Sequence, residues 1–276
     1  MAEQKPIKID LSEIIRARLG GRRGHFVPSF LLRGLEKLIR QEDLNAMLEY
    51  AFPAEGSAFS RKIIEYLGIS VEVEGLDALP TDEKFEFVSN HPLGGMDGIT
   101  LVAVLGEKYG DSELKVVVND MLMNVTPLAN VFLPINKYGS QGRRSAALIN
   151  AAFEERKQIV MFPAGLVSRL HSDGSIHDLT WQKSFVSKAL EFHRRVVPIH
   201  FEALNSMRFY KTARLRKRLG IRFNLEQALL PGELVKARGA HYKITFGRPI
   251  DVEKLHSEGK NPMLIAAAIK KIVEKT

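Results

Sequence analysis

The chain has 276 residues, 45% of them hydrophobic, and carries 40 lysines and arginines against 32 aspartates and glutamates, a formal charge of +8. That length and apolar content can fill one large core or two small ones, so disorder is not the expectation. With no cysteine there is no disulfide framework, thiolate metal site or thiol nucleophile. No stretch approaches the ~18 consecutive apolar residues of a spanning helix.

The opening MAEQKPIKIDLSE lacks the charged-then-apolar plan of a signal peptide, so a cytoplasmic protein, soluble or held at a surface, is expected. Up to about Phe52 the pattern is helical, broken at the GGRRG of residues 20–24. Between Ser12 and Arg40 the basic residues Arg16, Arg18, Arg22, Arg23, Arg33, Lys37 and Arg40 alternate with Phe26, Phe30, Leu31, Leu32, Leu35 and Leu38. Two readings stand: an interfacial helix on an anionic membrane surface, or an ordinary helix packed on the core.

From Ser57 onward helical and extended patterns alternate. A helix near Arg61 to Leu67 precedes strands ISVEVEG and FEFVSN; a helix after Asp97 is followed by KVVVND, a short helix near Leu128 and FLPIN. A helix from Arg143 to Lys157, strand QIVMF, a helix from Trp181 to Phe192, strands VVPIHF and HYKITFG and a helix from Pro262 to Lys275 complete the series. Such alternation predicts an α/β fold with a mostly parallel central sheet flanked by helices. The expected organisation is a helical, membrane-surface segment over 1–56 and one catalytic domain over 57–276.

The chemistry concentrates in FVSNHPLGGMDGITL, Phe87 to Leu101, where a strand ends in a glycine-rich turn and a helix begins. Open α/β sheets place ligands at such turns. His91 is the one residue there able to take a proton near neutral pH, and Asp97 can fix its tautomer and stabilise the imidazolium. Gly94 and Gly95 let the backbone fold back so that the two meet. The alternative on spacing alone is a turn-capping histidine and an aspartate N-cap.

This stretch resembles the first motif of the glycerolipid acyltransferase superfamily, typified by 1-acylglycerol-3-phosphate acyltransferases, in which an Asn-His pair, here Asn90 and His91, is followed by an aspartate. FLPINKYGSQGRR at Phe132 to Arg144 sits where the family's acceptor-binding motif is expected, FPAGLVSR at Phe162 to Arg169 resembles the third motif, and VVPIHF at Val196 to Phe201 the fourth. The resemblance implies a catalytic pair, His91 and Asp97. It also implies substrate contacts at Asn90, Gly94, Gly95, Asn136, Lys137, Arg143, Arg144, Pro163, Gly165 and Arg169.

The departures carry information. Five residues, Pro92 to Met96, separate His91 from Asp97, where most of the superfamily has four. Ile135, Asn136 and Lys137 stand where the family usually has an arginine for the acceptor phosphate, and Ala164 replaces the usual glutamate. Together with DLTWQKSF and NSMRFYKTARLRKRLGI, the pattern is closer to a bacterial haemolysin-like branch resembling aminolipid acyltransferases. That branch implies transfer of a (3-hydroxy)fatty acyl group from acyl carrier protein to an amino-acid amine, with no cofactor beyond the acyl thioester, acyl-carrier-protein- or coenzyme-A-bound. The alternative is a lysophospholipid O-acyltransferase, and a silent membrane-binding scaffold is a third possibility.

The second basic run, Arg208, Lys211, Arg214, Arg216, Lys217, Arg218 and Arg222, contains no acid and suits an acidic carrier protein, an anionic lipid surface or plain solvation. His171 and His177 flank SDGSI without a supporting cluster, so no metal is expected, and Trp181 is read as packing, after a Thr180 helix cap. No G-x-S-x-G elbow, P-loop or G-x-G-x-x-G occurs, and nucleic-acid binding leaves the four motifs unexplained.

Overall fold

The computed structural model describes residues 6–19, 28–135, 139–221 and 224–275. Helices α1 (Leu11–Leu19), α2 (Ser29–Ile39), α3 (Gln41–Ala51) and α4 (Gly56–Leu67) lead into strand β1 (Ser70–Glu74). Strand β2 (Glu86–Ser89) follows, then helix α5 (Gly95–Tyr109), strands β3 (Leu114–Asn119) and β4 (Phe132–Ile135), helix α6 (Gly139–Glu154) and strand β5 (Gln158–Met161). A hairpin of β6 (Arg169–Leu170) and β7 (Ile176–His177) precedes α7 (Ser184–Glu191), β8 (Val196–Glu202), α8 (Met207–Arg218), α9 (Leu230–Lys236), β9 (His241–Phe246), α10 (Val252–Ser257) and α11 (Pro262–Val273).

Seven strands form one sheet in the order β1-β9-β8-β2-β5-β3-β4. Every pairing is parallel except β8 with β9, where His200 lies opposite Thr245. The sheet is mostly parallel and covered by helices on both faces, as the alternating pattern predicts. Its centre, β2, is buried on both sides: Phe87 packs into a layer with α3, α4 and α5, while Val88 joins a second layer with α6, α7, α10 and α11. Each wholly buried side chain of this size contributes about 1.5–3 kcal/mol.

Neighbouring strands β2 and β5 therefore send their following helices to opposite faces, α5 to one and α7 to the other. This is the topological switch point at which open α/β sheets open a crevice beyond the strand ends. Helix α5 can lie close to α4 because position 106 is glycine: a Cβ there would stand 2.6 Å from that of Ser57 and 2.5 Å from Asp111 Oδ1.

Helix α3 buries Leu44, Met47, Leu48 and Ala51, the i, i+3, i+4, i+7 spacing of a core-facing stripe, and they join the same apolar layer as Phe87. Helix α3 thus shares the main core. Helix α2 differs. It buries no residue and leaves Phe30 70%, Leu31 48% and Leu35 38% exposed. Arg22, Arg23, Phe26 and Arg222 of the two basic runs lie outside the described residues.

Two local expectations are corrected. Helix α5 begins at Gly95 with Gly94 as its cap, two residues ahead of Asp97. Thr180 caps nothing, because α7 starts at Ser184 after Lys183. The segment between His171 and His177 is a turned hairpin with the two imidazoles stacked 3.5 Å apart. Trp181 is 1% exposed and packs edge-on against Phe185, which gives it a core role and no surface for lipid. No helix among the described residues is long and apolar enough to cross a membrane.

Candidate active site

The turn after β2 brings His91 and Asp97 together, with His91 Nδ1 2.7 Å from Asp97 Oδ2. The atoms are at hydrogen-bond distance, although the ring N–H is not aimed squarely at the oxygen. The His91 side chain is 19% exposed and that of Asp97 0%, so only the imidazole can meet a ligand. With Nδ1 turned to the carboxylate, Nε2 is the nitrogen left for proton transfer. Phe162 lies along the imidazole, ring centres 4.3 Å apart.

Asp97 is the third residue of α5. It reaches back to accept the backbone N–H of Leu93 at 3.0 Å and of Gly94 at 3.0 Å. It thereby caps the helix that carries it while also facing His91, so the capping and pairing roles coexist in one carboxylate. Burial pushes its pKa above the usual aspartate range, against the opposing pull of His91 and the two amides. The turn needs glycine at 94, where φ is +88° and a Cβ would come 3.2 Å from both Leu230 Cδ1 and Val167 Cγ2. Gly95 opens the helix beneath Leu234. The Leu93 and Gly94 amides are engaged by Asp97, so the turn itself offers neither to a developing oxyanion.

The other predicted residues divide into those near the pair and those apart from it. The Asn90 amide is committed to β8: its Nδ2 donates to the Phe201 carbonyl at 2.9 Å and its Oδ1 accepts the Phe201 N–H at 2.7 Å, so it zips two strand ends and is not free for substrate. Pro163 and Gly165 lie at the end of β5, the strand beside β2. Pro163 is buried and its carbonyl accepts the Gln182 N–H, while Gly165 is exposed at φ +65°.

Arg169 is engaged within the fold. Its guanidinium donates to Glu226 at 3.0 Å and to the Val167 carbonyl at 2.7 Å. Arg216, counted with the exposed basic run, also turns inward, its Nε 2.8 Å from Glu226 Oε2. Glu226 is 0% exposed and holds both cations. Glu226→Gln leaves two largely buried guanidiniums without their counter-charge, and we expect it to lower the free energy of unfolding by about 3 kcal/mol, the lower scale for breaking a buried pair. Denaturant titration measures this; a loss below ~1 kcal/mol would show the triad to be well solvated.

Arg143 and Arg144 stand exposed on α6, which follows β4. Strand β4 is three places from β2 in the sheet, roughly 14 Å at ordinary strand spacing. Asn136 and Lys137 lie outside the described residues. No cluster of metal-binding side chains occurs among the described residues.

Two residues that the sequence did not single out complete the turn. Asn205, just past β8, donates its Nδ2 to the Pro92 carbonyl at 3.0 Å, and its own N–H is accepted by the Tyr210 hydroxyl. Asp178, 2% exposed, accepts the His91 backbone N–H at 3.2 Å. Each is the first residue of a stretch that carried the family resemblance, DLTWQKSF and NSMRFYKTARLRKRLGI, and that position was the only signal available.

The fold and site define an α/β protein with a paired imidazole and buried carboxylate in the crevice of an open sheet. A protein-family profile described as acyltransferase matches residues 17–272, and the chain belongs to that acyltransferase family. It is 39% identical over 275 residues to a lyso-glycine lipid O-acyltransferase of Phocaeicola vulgatus, covering 100% of this chain and 97% of that protein. It is 38% identical to one of Bacteroides thetaiotaomicron, covering 100% of both. The solved 1-acyl-sn-glycerophosphate acyltransferase of Thermotoga maritima aligns with 95% of this chain and 84% of its own, at 14% identity and a TM-score of 0.49.

Proposed function

We propose that this acyltransferase transfers a fatty acyl group from a thioester to the free hydroxyl of a lyso-glycine lipid, with His91 as general base and Asp97 as its partner. The observation that carries the mechanism is the 2.7 Å approach of a part-exposed imidazole to a buried carboxylate. His91 Nε2 takes the acceptor hydroxyl proton as the oxygen attacks the thioester carbonyl. The C–O bond forms, the C–S bond breaks, and the proton passes from the imidazolium to the departing thiolate. The first-turn amides of α5, at the positive end of that helix, are the group best placed to steady the oxyanion.

The acceptor rests on the relatives. Both act, by their names, on oxygen of a lyso-glycine lipid, and at 38–39% identity over essentially full length they favour O-acylation of an already acylated amino acid over N-acylation of a free one. A glycine headgroup presents a single carboxylate, which suits a chain whose second motif lacks the family's phosphate-binding arginine. Acyl carrier protein is the donor we favour, drawn to the exposed Arg208, Lys211, Lys217 and Arg218 of α8. The exposed Phe30, Leu31 and Leu35 beside Arg33 and Lys37 on α2 fit the surface of an anionic membrane, at the cytoplasmic leaflet, where the lyso lipid would be met.

The test is mass spectrometry of products when purified protein is given lyso-glycine lipid with acyl-carrier-protein or coenzyme A thioesters. The expected product carries a second, ester-linked chain that mild alkali removes to regenerate the lyso lipid. An alkali-stable second chain, or acylation of lysophosphatidate alone, would overturn the acceptor assignment.

A further inference from the structure

Asp178 has no part in the proton transfer described above, yet it touches the residue that would perform it. Its Oδ1 accepts the His91 backbone N–H at 3.2 Å and the Ser168 hydroxyl at 2.6 Å, and its Oδ2 accepts Trp181 Nε1–H at 2.9 Å. Ser168 closes the ring by donating its own backbone N–H to the His91 carbonyl at 2.8 Å. The His91 main chain is thus gripped on both its polar groups by the segment after β5, independently of Asp97, which holds the amides of Leu93 and Gly94.

The three donors that converge on Asp178 are neutral, and the carboxylate is 2% exposed. Burying a charge there without a cationic partner in contact is costly unless every acceptor site is used. A carboxylate is the side chain that accepts all three without donating in return; an asparagine must present an N–H to one of them. Holding the base to a fraction of an ångström is worth this cost, since misplacement by ~1 Å removes about 100-fold in rate.

We propose that Asp178 is a positioning residue: it fixes the His91 backbone and ties the loop of the third motif to it, so that the imidazole is presented to substrate at the correct depth. The inference rests on His91 being the general base. In Asp178→Asn, the amide can serve His91 and Ser168 only by turning its Nδ2 toward Trp181 Nε1–H, donor against donor. Trp181→Phe removes that conflict.

The experiment compares steady-state acyl transfer to lyso-glycine lipid, per folded molecule, for the full-length wild type, Asp178→Asn, Trp181→Phe, the double variant and His91→Ala. We expect Asp178→Asn to lower kcat about 10- to 100-fold with the acceptor KM changed less than ~3-fold. Trp181→Phe alone should stay within ~3-fold of wild type, and the double variant should recover most of the lost kcat. A merely structural carboxylate would change the folded fraction and leave kcat per folded molecule intact. Asp178→Asn within ~2-fold of wild type, or a double variant no faster than the single one, would overturn the inference while a silent His91→Ala still upheld the base. A fully active His91→Ala would overturn both.

Discussion

His91→Ala is expected to lose at least ~100-fold in acyl transfer, the lower scale for removing a general base, with little change in unfolding midpoint. The side chain is part-exposed, while the interactions that shape its turn run through the main chain: the His91 N–H to Asp178, its carbonyl from Ser168, and the Leu93 and Gly94 amides to Asp97. Alanine keeps all of these. The loss should fall in kcat, because proton removal occurs only on the way to the transition state. Steady-state kinetics with purified protein checks it, and a variant that turns over at a tenth of the wild-type rate or faster would remove His91 from the mechanism.

Asp97→Asn should reduce kcat by about 10²- to 10⁴-fold for a different reason. If the new amide turns its N–H to His91 Nδ1, the ring is held with its proton on Nε2, the nitrogen that must accept one; if it turns its oxygen there, its N–H collides with that of Leu93. The same substitution has a pH signature in stability. Burial raises the Asp97 pKa, so the folded protein binds this proton more tightly than the unfolded chain does. Stability from this group is therefore lost as pH rises from the ordinary aspartate value through the raised folded one. Asparagine does not titrate, so the variant should gain on wild type as pH climbs through that window. Denaturant unfolding across pH measures the difference, and a variant that falls further behind wild type with rising pH would refute the sign.

The local parts of this site could be read directly in the sequence, and the tertiary parts could not. His91, the two glycines and Asp97 lie within seven residues, so a strand-to-turn-to-helix pattern suffices to set them face to face. The strand order was hidden, because β5 enters the sheet between β2 and β3 and nothing in its QIVM segment names its neighbours. Arg169 and Arg216 looked free for the same reason: a sequence shows two cations, while Glu226 reaches them from positions 57 and 10 residues away. Asn90 stands out in the sequence by its place in a motif, and its bond to a strand 111 residues later gives it a structural role there.

That last contact bears on how the protein is made. The His91 turn emerges in the first third of the chain, but its restraints come from Asp178, Phe201 and Asn205, up to 113 residues downstream. During synthesis, β2 must wait as an unpaired central strand until β5 and then β8 arrive to flank it. Contacts of such long sequence separation form late and slowly, and an unflanked apolar strand is a site for misassociation in the meantime. The His91 turn therefore cannot acquire all of its restraints before about residue 205 has left the ribosome, so the site is completed only late in translation.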